Sequence, residues 1–450
     1  MAHPLEGVPV FALPVSALAR ASLVREPEAV YRPRHPERTA LYRLFEGHFE
    51  EYVRRHEARF ERGSGPLRAV VERTVAAYLD CGRLFGGFAR LRCPACRGEH
   101  LLAFSCQTRN FCPSCQAKRA ALFAERLEGE ILAPVPHRHV VFTIPKALRR
   151  LFERERTLLG LLPRCAFRAV RLLYREHFGR PGARPGMVAS IQTFGGALNF
   201  HPHVHALLTE GVLERGGGFL PLTAPDLAAL EELFRRLVLA ELVKAQRLSE
   251  GFRDRLLGWR HSGFSVYGAQ VVLPEEGDRL LQLARYSTRP PLAQQRVQPG
   301  PGKTYRLQTP PDPATGATQL ALDPLELIHR LAQQIPDPGQ HLVRYYGAYA
   351  NRVRREFRAA EEELEGGGAG GPPRDPDAGA ESEFQSERRK SWARLLRKIL
   401  EVDPLLCPRC RVEMTIVSVI TDPVVVDAIL RHVDQGGSHD PHAPRAPPAA

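Results

Sequence analysis

The chain has 450 residues, 43% of them hydrophobic, and a formal net charge of +13. That is enough apolar material for two or three packed domains, which excludes a disordered or fibrous polypeptide, and the surplus of cations, mostly arginine, points to a polyanionic partner such as DNA. No run of about 18 apolar residues and no charged region leading into an apolar core occurs, so a membrane span and a secretory leader are not expected and the chain is placed in the cytoplasm, where nine cysteines suit metal binding better than disulfides.

Residues 1–40 read as a basic arm rich in Pro and Arg, and a helical unit with a zinc ribbon is expected over 41–130. Leu41, Leu44, Phe45 and Phe49 fall at helix spacing, and Leu67 to Leu79 repeats the pattern after the break at Gly63-Ser-Gly-Pro66. Cys93-Pro-Ala-Cys96 and Cys112-Pro-Ser-Cys115 follow, with 15 residues between the two knuckles. Each Cys-x-x-Cys turn presents two thiolates to one tetrahedral ion, so these four predict a structural Zn²⁺ brought together by the hairpin between them. Cys81 and Cys106 are surplus to four ligands and read as core thiols or alternative ligands. Arg90, Arg92, Arg97, Arg109, Lys118 and Arg119 surround the ribbon and suit a DNA-binding surface.

From Pro136 to about 360 the periodicities alternate. His139 to Ile144 reads as a strand, Lys146 to His177 as helix broken near Pro163, and Gly186 to Thr193 and Ala197 to Glu210 as two strands. Ala224 to Leu257 is helical, Gly263 to Leu273 is a strand or hairpin, and Asp278 to Tyr286 is a helix ended by Pro290-Pro291. The order β-α-β-β-α-β predicts an α+β protein with a ferredoxin-like antiparallel sheet, and it puts Leu198-Asn-Phe-His-Pro-His-Val-His-Ala-Leu-Leu-Thr-Glu210 in its middle. At strand spacing His201, His203 and His205 share one face, and convergent neutral imidazoles favour a metal.

Residues 298–318 read as a loop bearing a hairpin, and Asp323 caps a helix running to Ala332. Tyr345, Tyr346 and Tyr349 beside Asn351-Arg-Val-Arg-Arg355 suit either base stacking or a solvated helix face. Residues 361–386 read as a flexible linker, 387–435 as a small module with Trp392, Leu395, Leu396 and Ile399 at helix spacing, and 436–450 as a disordered tail. Cys407-Pro-Arg-Cys410 is half a zinc site, which His432 completes or whose metal has been lost.

Taken together, Phe104-Ser-Cys106 with Cys112-Pro-Ser-Cys115, then Leu198-Asn-Phe-His-Pro-His-Val-His-Ala-Leu207, then Leu283-Ala-Arg-Tyr286 with Arg289-Pro-Pro291, resemble the rolling-circle HUH transposases of the insertion-sequence ninety-one family. The resemblance continues through Asp323-Pro-Leu-Glu-Leu327 and Tyr346-Gly347 to Trp392-Ala-Arg-Leu-Leu396 and Cys407-Pro-Arg-Cys410, and so covers nearly the whole chain. It implies a single-strand DNA endonuclease and strand transferase with Tyr286 as nucleophile, His203 and His205 as ligands of a catalytic Mg²⁺ or Mn²⁺, and Arg285 and Arg289 near the DNA. The implied partners are single-stranded and hairpin DNA at the ends of its own element, and target DNA. Family members with two catalytic tyrosines place them four apart on this helix, but here the upstream position is Gln282, which resembles the one-tyrosine, common-region subgroup. The third metal ligand is expected to be His201, with Gln192 and His261 in reserve.

Two other readings compete. His201-Pro-His-Val-His-Ala-Leu-Leu208 also fits the histidine-triad nucleotide hydrolases and transferases, although these need neither the ribbon nor the charge. An inactive DNA-binding protein would keep the ribbon and form no covalent adduct.

Overall fold

The computed structural model describes residues 35–180, 182–214, 218–222, 225–354 and 405–435. The arm before residue 35, the 361–386 linker, the Trp392 helix and the tail after 435 lie outside the described residues. Among those described, no helix is long and apolar enough to cross a membrane.

Helix α1 (Ala40–His56) begins where the Thr39 hydroxyl accepts from the Tyr42 amide, and it turns Leu41, Leu44, Phe45 and Tyr52 inward. A short turn, α2 (Arg62–Ser64), precedes α3 (Ala69–Leu79), whose Val71, Val75 and Tyr78 share that core. Strands β1 (Phe88–Arg92) and β2 (Glu99–Ala103) form an antiparallel hairpin. Helix α4 (Pro113–Arg126) leaves from Cys112 with Pro113 in its first turn, where a missing amide is harmless.

Strand β3 (His137–Thr143) leads through α5 (Lys146–Arg154) and α6 (Leu161–Phe178) to β4 (Gly186–Phe194) and β5 (Phe200–Thr209). The small pair β6 (Gly211–Leu213) and β7 (Phe219–Pro221), then α7 (Leu227–Lys244) and α8 (Glu250–Gly258), precede β8 (Ser265–Val272) and α9 (Gly277–Ser287). Strands β9 (Val297–Pro299), β10 (Tyr305–Gln308) and β11 (Gln319–Leu322) form a separate sheet, followed by α10 (Pro324–Ala332) and β12 (Val343–Gly347). After residue 404 come β13 (Thr415–Ile420) and α11 (Pro423–Gln435).

The five-stranded sheet runs β12-β4-β5-β3-β8, with every neighbouring pair antiparallel. Without β12 this is the ferredoxin-like order, so the protein is α+β as its sequence predicts, and the histidine strand β5 is central. Alternation sends Val204, Ala206 and Leu208 into a core with Phe142, Leu162, Ile191, Phe234 and Leu256 beneath α5 to α8. The opposite face, carrying His203, His205 and Leu207, is covered by α4 and α9 through Ala124, Leu127, Leu280 and Ala284. A second core joins α1 and α3 to β9, β10, β11 and α10, where Tyr52 Oη lies 3.2 Å from His329 Nδ1.

Several elements differ from expectation. The helix after β3 breaks at Glu155, whose φ of −116° and ψ of 81° leave the helical region, rather than at Pro163, which sits in the first turn of α6 and therefore lacks nothing. The stretch after Ala224 is two helices, separated at Gln246 with φ 57° and restarted by Ser249 as N-cap. Tyr345 and Tyr346 belong to the edge strand β12, and Tyr349 is buried with its hydroxyl 2.6 Å from His137 Nε2, so Tyr349 offers no stacking surface.

The cysteines also group differently. Cys81 and Cys106 flank the open end of the β1–β2 hairpin and meet Cys112 and Cys115, whereas Cys93 and Cys96 sit at its closed turn. A five-residue strand is about 17 Å long, so the four cysteines expected to share one Zn²⁺ are held apart by the hairpin's own length. Cys93 and Cys96 instead face Cys407 and Cys410, and β13 pairs antiparallel with β1. His432, exposed on α11, is not part of that group.

Candidate active site

His203 Nδ1 lies 2.7 Å from the His201 carbonyl oxygen. A carbonyl only accepts, so Nδ1 carries the proton and Nε2 presents a lone pair. That lone pair faces His205 Nε2 at 3.1 Å, and His205 Nδ1 lies 3.0 Å from His139 Nε2 with the two ring planes 4° apart. With a proton on His205 Nε2, the row is an unbroken hydrogen-bond chain from His139 to the His201 carbonyl. With that proton moved to Nδ1 and donated to His139, two lone pairs confront each other and a cation between them becomes favourable. Two nitrogens about 2.1 Å from one octahedral ion stand about 3.0 Å apart, so the pair fits a divalent metal. Loss of solvent pushes His139 and His203 down to about 4 and His205 well below the ordinary range, leaving neutral rings able to ligate.

His201 does not close this pair into a tripod. Its ring lies 5.2 Å from that of His203, on the side away from His205, and its Nε2 is buried without a hydrogen-bond partner. Among the described residues only two cysteine groups bring three or more ligand atoms within 4.8 Å of one another. The physical reason is strand geometry: same-face residues step about 7 Å along a strand, so three in a row spread rather than converge. His139 on the neighbouring strand is the imidazole that sequence reasoning missed. Its signal is the period-two His137-Arg-His139 at the start of β3. His261 is exposed in the loop between α8 and β8.

Tyr286 stands in the last turn of α9, 40% exposed, with its ring edge-on to His205 at a centroid distance of 5.4 Å and 87° between planes. Gln192 holds it there. Paired opposite His203 on β4, Gln192 donates its side-chain amide to the Tyr286 carbonyl at 3.0 Å and the Ser287 carbonyl at 2.9 Å. Its Oε1 is buried with no partner, an orphaned acceptor of the kind a cation satisfies. The Arg289 guanidinium lies 4.5 Å from the Tyr286 ring centre and 5.4 Å from that of Phe194. Gln282, one turn upstream of Tyr286, and Arg285 are both exposed.

At the hairpin's open end Cys81 Sγ lies 3.8 Å from Cys112 Sγ and 3.7 Å from Cys115 Sγ, and Cys106 Sγ lies 3.6 Å from Cys115 Sγ. Thiolates about 2.3 Å from a tetrahedral zinc are about 3.8 Å apart, so this spacing suits a four-cysteine site. The cations picked from sequence divide by their neighbours. Arg90 is paired with Glu99, and Arg109 donates to the carbonyls of Gln340 and Asp337, a brace between segments. Arg92 is exposed 3.9 Å from Glu99, Arg119 donates to the Gln107 carbonyl, and Lys118 is half-buried on α4.

Known proteins that resemble the chain are transposases, enzymes that act on DNA. Residues 45–144 match the family described as "Transposase zinc-binding domain", and residues 186–356 match the family described as "Putative transposase". The transposase for insertion sequence element IS801 of Pseudomonas savastanoi pv. phaseolicola is 27% identical over 376 residues, covering 79% of this chain and 86% of that protein. The "Putative transposase y4qJ" of Sinorhizobium fredii is 28% identical over 361 residues, covering 74% of this chain and 85% of that protein. No solved structure matches the chain. These matches support an IS91-family insertion-sequence transposase with an N-terminal zinc-binding domain, and the region matched to that domain carries six of the chain's cysteines. The matches favour the transposase reading over the nucleotide-hydrolase alternative.

Proposed function

We propose that this transposase is a single-strand DNA endonuclease and strand transferase of the rolling-circle, His-hydrophobe-His type. Residues 136–360 carry the chemistry and the zinc-binding region holds the ends of the element as single-stranded or hairpin DNA. The observation that carries the reading is the edge-on seat of Tyr286 over His205, beside an Nε2 pair 3.1 Å apart. His203 and His205 hold Mg²⁺ or Mn²⁺, with Gln192 Oε1 as the third donor in preference to His201. The bound ion would polarise the scissile phosphate and stabilise the charge that develops on it.

Tyr286 Oη attacks phosphorus while its proton passes to water. The bond from phosphorus to the 3′ oxygen of the preceding nucleotide breaks, and that oxygen leaves as a free 3′-hydroxyl. The product is a 5′-phosphotyrosine whose ester conserves the bond energy, so a 3′-hydroxyl of another strand can reverse the step without ATP. Arg285 and Arg289 flank the phosphate path, and Arg289 holds the tyrosine ring in line.

The test is incubation with labelled single-stranded DNA carrying the element's end and Mg²⁺ or Mn²⁺, followed by denaturing electrophoresis. A protein–DNA adduct lost in Tyr286→Phe and in His203→Ala/His205→Ala is expected. An adduct retained by Tyr286→Phe would move the nucleophile elsewhere, and binding without any adduct would favour an inactive DNA-binding protein.

A further inference from the structure

The second cysteine group lies partly outside the region matched to the zinc-binding domain. Cys93 and Cys96 come from the turn of the β1–β2 hairpin, and Cys407 and Cys410 from more than 300 residues later in the chain. Cys93 Sγ is 3.8 Å from Cys410 Sγ, Cys96 Sγ is 3.7 Å from Cys407 Sγ, and Cys407 Sγ is 3.8 Å from Cys410 Sγ. A disulfide would bring sulfurs to about 2.05 Å, whereas about 3.8 Å is the edge of a tetrahedral zinc tetrathiolate.

The two halves are built alike. Each reads Cys-Pro-x-Cys-Arg, each closes with the arginine amide donating to the first cysteine's carbonyl at 2.9 Å, and Arg97 and Arg411 both take φ 58°. In each, the first cysteine's amide also donates 2.9 Å to a carbonyl beyond the turn, that of Gly98 or Val412. Both turns thus aim their two sulfurs the same way, towards a shared centre. The surroundings are built to hold it: Leu91, Leu102, Leu405 and Met414 pack around the buried Cys93 and Cys407, and β13 pairs with β1 from Phe88↔Ile420 to Arg92↔Thr415. So small an apolar cluster is too little to hold a returning segment by itself, and metal supplies what it lacks.

We propose that Cys93, Cys96, Cys407 and Cys410 bind a second structural Zn²⁺ that clasps residues 405–435 onto the N-terminal hairpin. The ribbon is therefore a discontinuous unit made from both ends of the chain. Its metal-bearing tip presents Arg97, Arg409 and Arg411, all exposed, so two of the three cations at that tip come from the C-terminal turn. This clasp is independent of the chemistry at Tyr286, because no ligand is shared with the histidine pair.

The test is zinc counting by elemental mass spectrometry on the full chain, joined to a cleavage experiment. Two zincs per wild-type chain and one per Cys407→Ser/Cys410→Ser chain are expected; one in the wild type, or two in the variant, overturns the proposal. A protease site inserted within residues 361–386 covers the case in which the double variant misfolds. After cleavage the C-terminal piece should co-elute with the remainder until a chelator is added. Separation without chelator, or co-elution that excess chelator leaves intact, overturns the clasp.

Discussion

Replacing Gln192 by Met, which keeps the length of the side chain and removes its amide, releases the tether on Tyr286 and also removes the proposed third metal donor, so its effect on aim is read at saturating metal. Gln192 is 2% exposed and makes two hydrogen bonds, at 3.0 and 2.9 Å, to the carbonyls that end α9. Each such bond contributes about 1 kcal/mol net, and a buried carbonyl left without a donor costs about 1–3 kcal/mol. The Tyr286 carbonyl keeps a long contact of 3.4 Å with the Arg289 amide, so the Ser287 carbonyl bears most of the loss. The expected destabilisation is about 2–4 kcal/mol, read by urea unfolding. The end of α9 then loosens over the sheet, and a displacement of about 1 Å in a reacting group costs about 100-fold in rate. Single-turnover adduct formation at saturating Mn²⁺ should therefore fall 10- to 100-fold, by this reasoning, although Tyr286 and both ligand histidines are intact. A rate within twofold of wild type at saturating metal would refute the tether. Gln192→Glu should recover metal affinity, because it returns an oxygen beside His203, and should not recover the rate.

Four further outcomes follow from the same geometry. His139→Ala removes the acceptor that lets His205 hold its proton on Nδ1, so Mn²⁺ affinity measured by calorimetry should weaken by about 10- to 100-fold, and an unchanged affinity would refute the role. His137 is buried against Tyr349 and pushed down to about 4 from 6.5 by loss of solvent. The unfolded chain takes up its proton first as pH falls through 6.5, so His137 leaves stability intact above that pH and withdraws about 3 kcal/mol between 6.5 and 4; urea midpoints of wild type and His137→Gln should converge as pH is lowered. Cys81→Ser should release one zinc and lower the melting temperature, and a variant that kept its full zinc content would exclude Cys81 as a ligand. Arg289→Ala should reduce the slope of log affinity for single-stranded DNA against log salt by about 0.7, and an unchanged slope would mean the guanidinium only holds the Tyr286 ring.

Much of this was legible because local patterning and tertiary structure agree. The switch from helical to alternating periodicity locates β3, β4, β5, α9 and their order, and the run from His201 to His205 marks the central strand. What periodicity could not supply was the contribution of neighbouring strands. His139 and Gln192 reach the histidine pair through strand pairing, and nothing near either residue in sequence announces that register. The spread of His201 away from the pair follows from the same rule that suggested it: one strand can hold two ligands within reach of an ion, and a third must come from beside it.

The cysteines show how a repeated motif carries information that spacing conceals. Pairing the knuckles by proximity in sequence joins Cys93-Pro-Ala-Cys96 to Cys112-Pro-Ser-Cys115, but their continuations differ. Gln116 continues the second into α4, while Arg97 turns the first back into β2 with positive φ. The turn at Cys407 repeats the Arg97 version in residue order and in backbone, so like pairs with like across the length of the chain. A ribbon assembled this way closes only after Cys410 has been synthesised, later than every residue of the Tyr286 site. A chain cut short before residue 405 would carry the histidine pair and the tyrosine complete, and a hairpin whose outer zinc has only half its ligands.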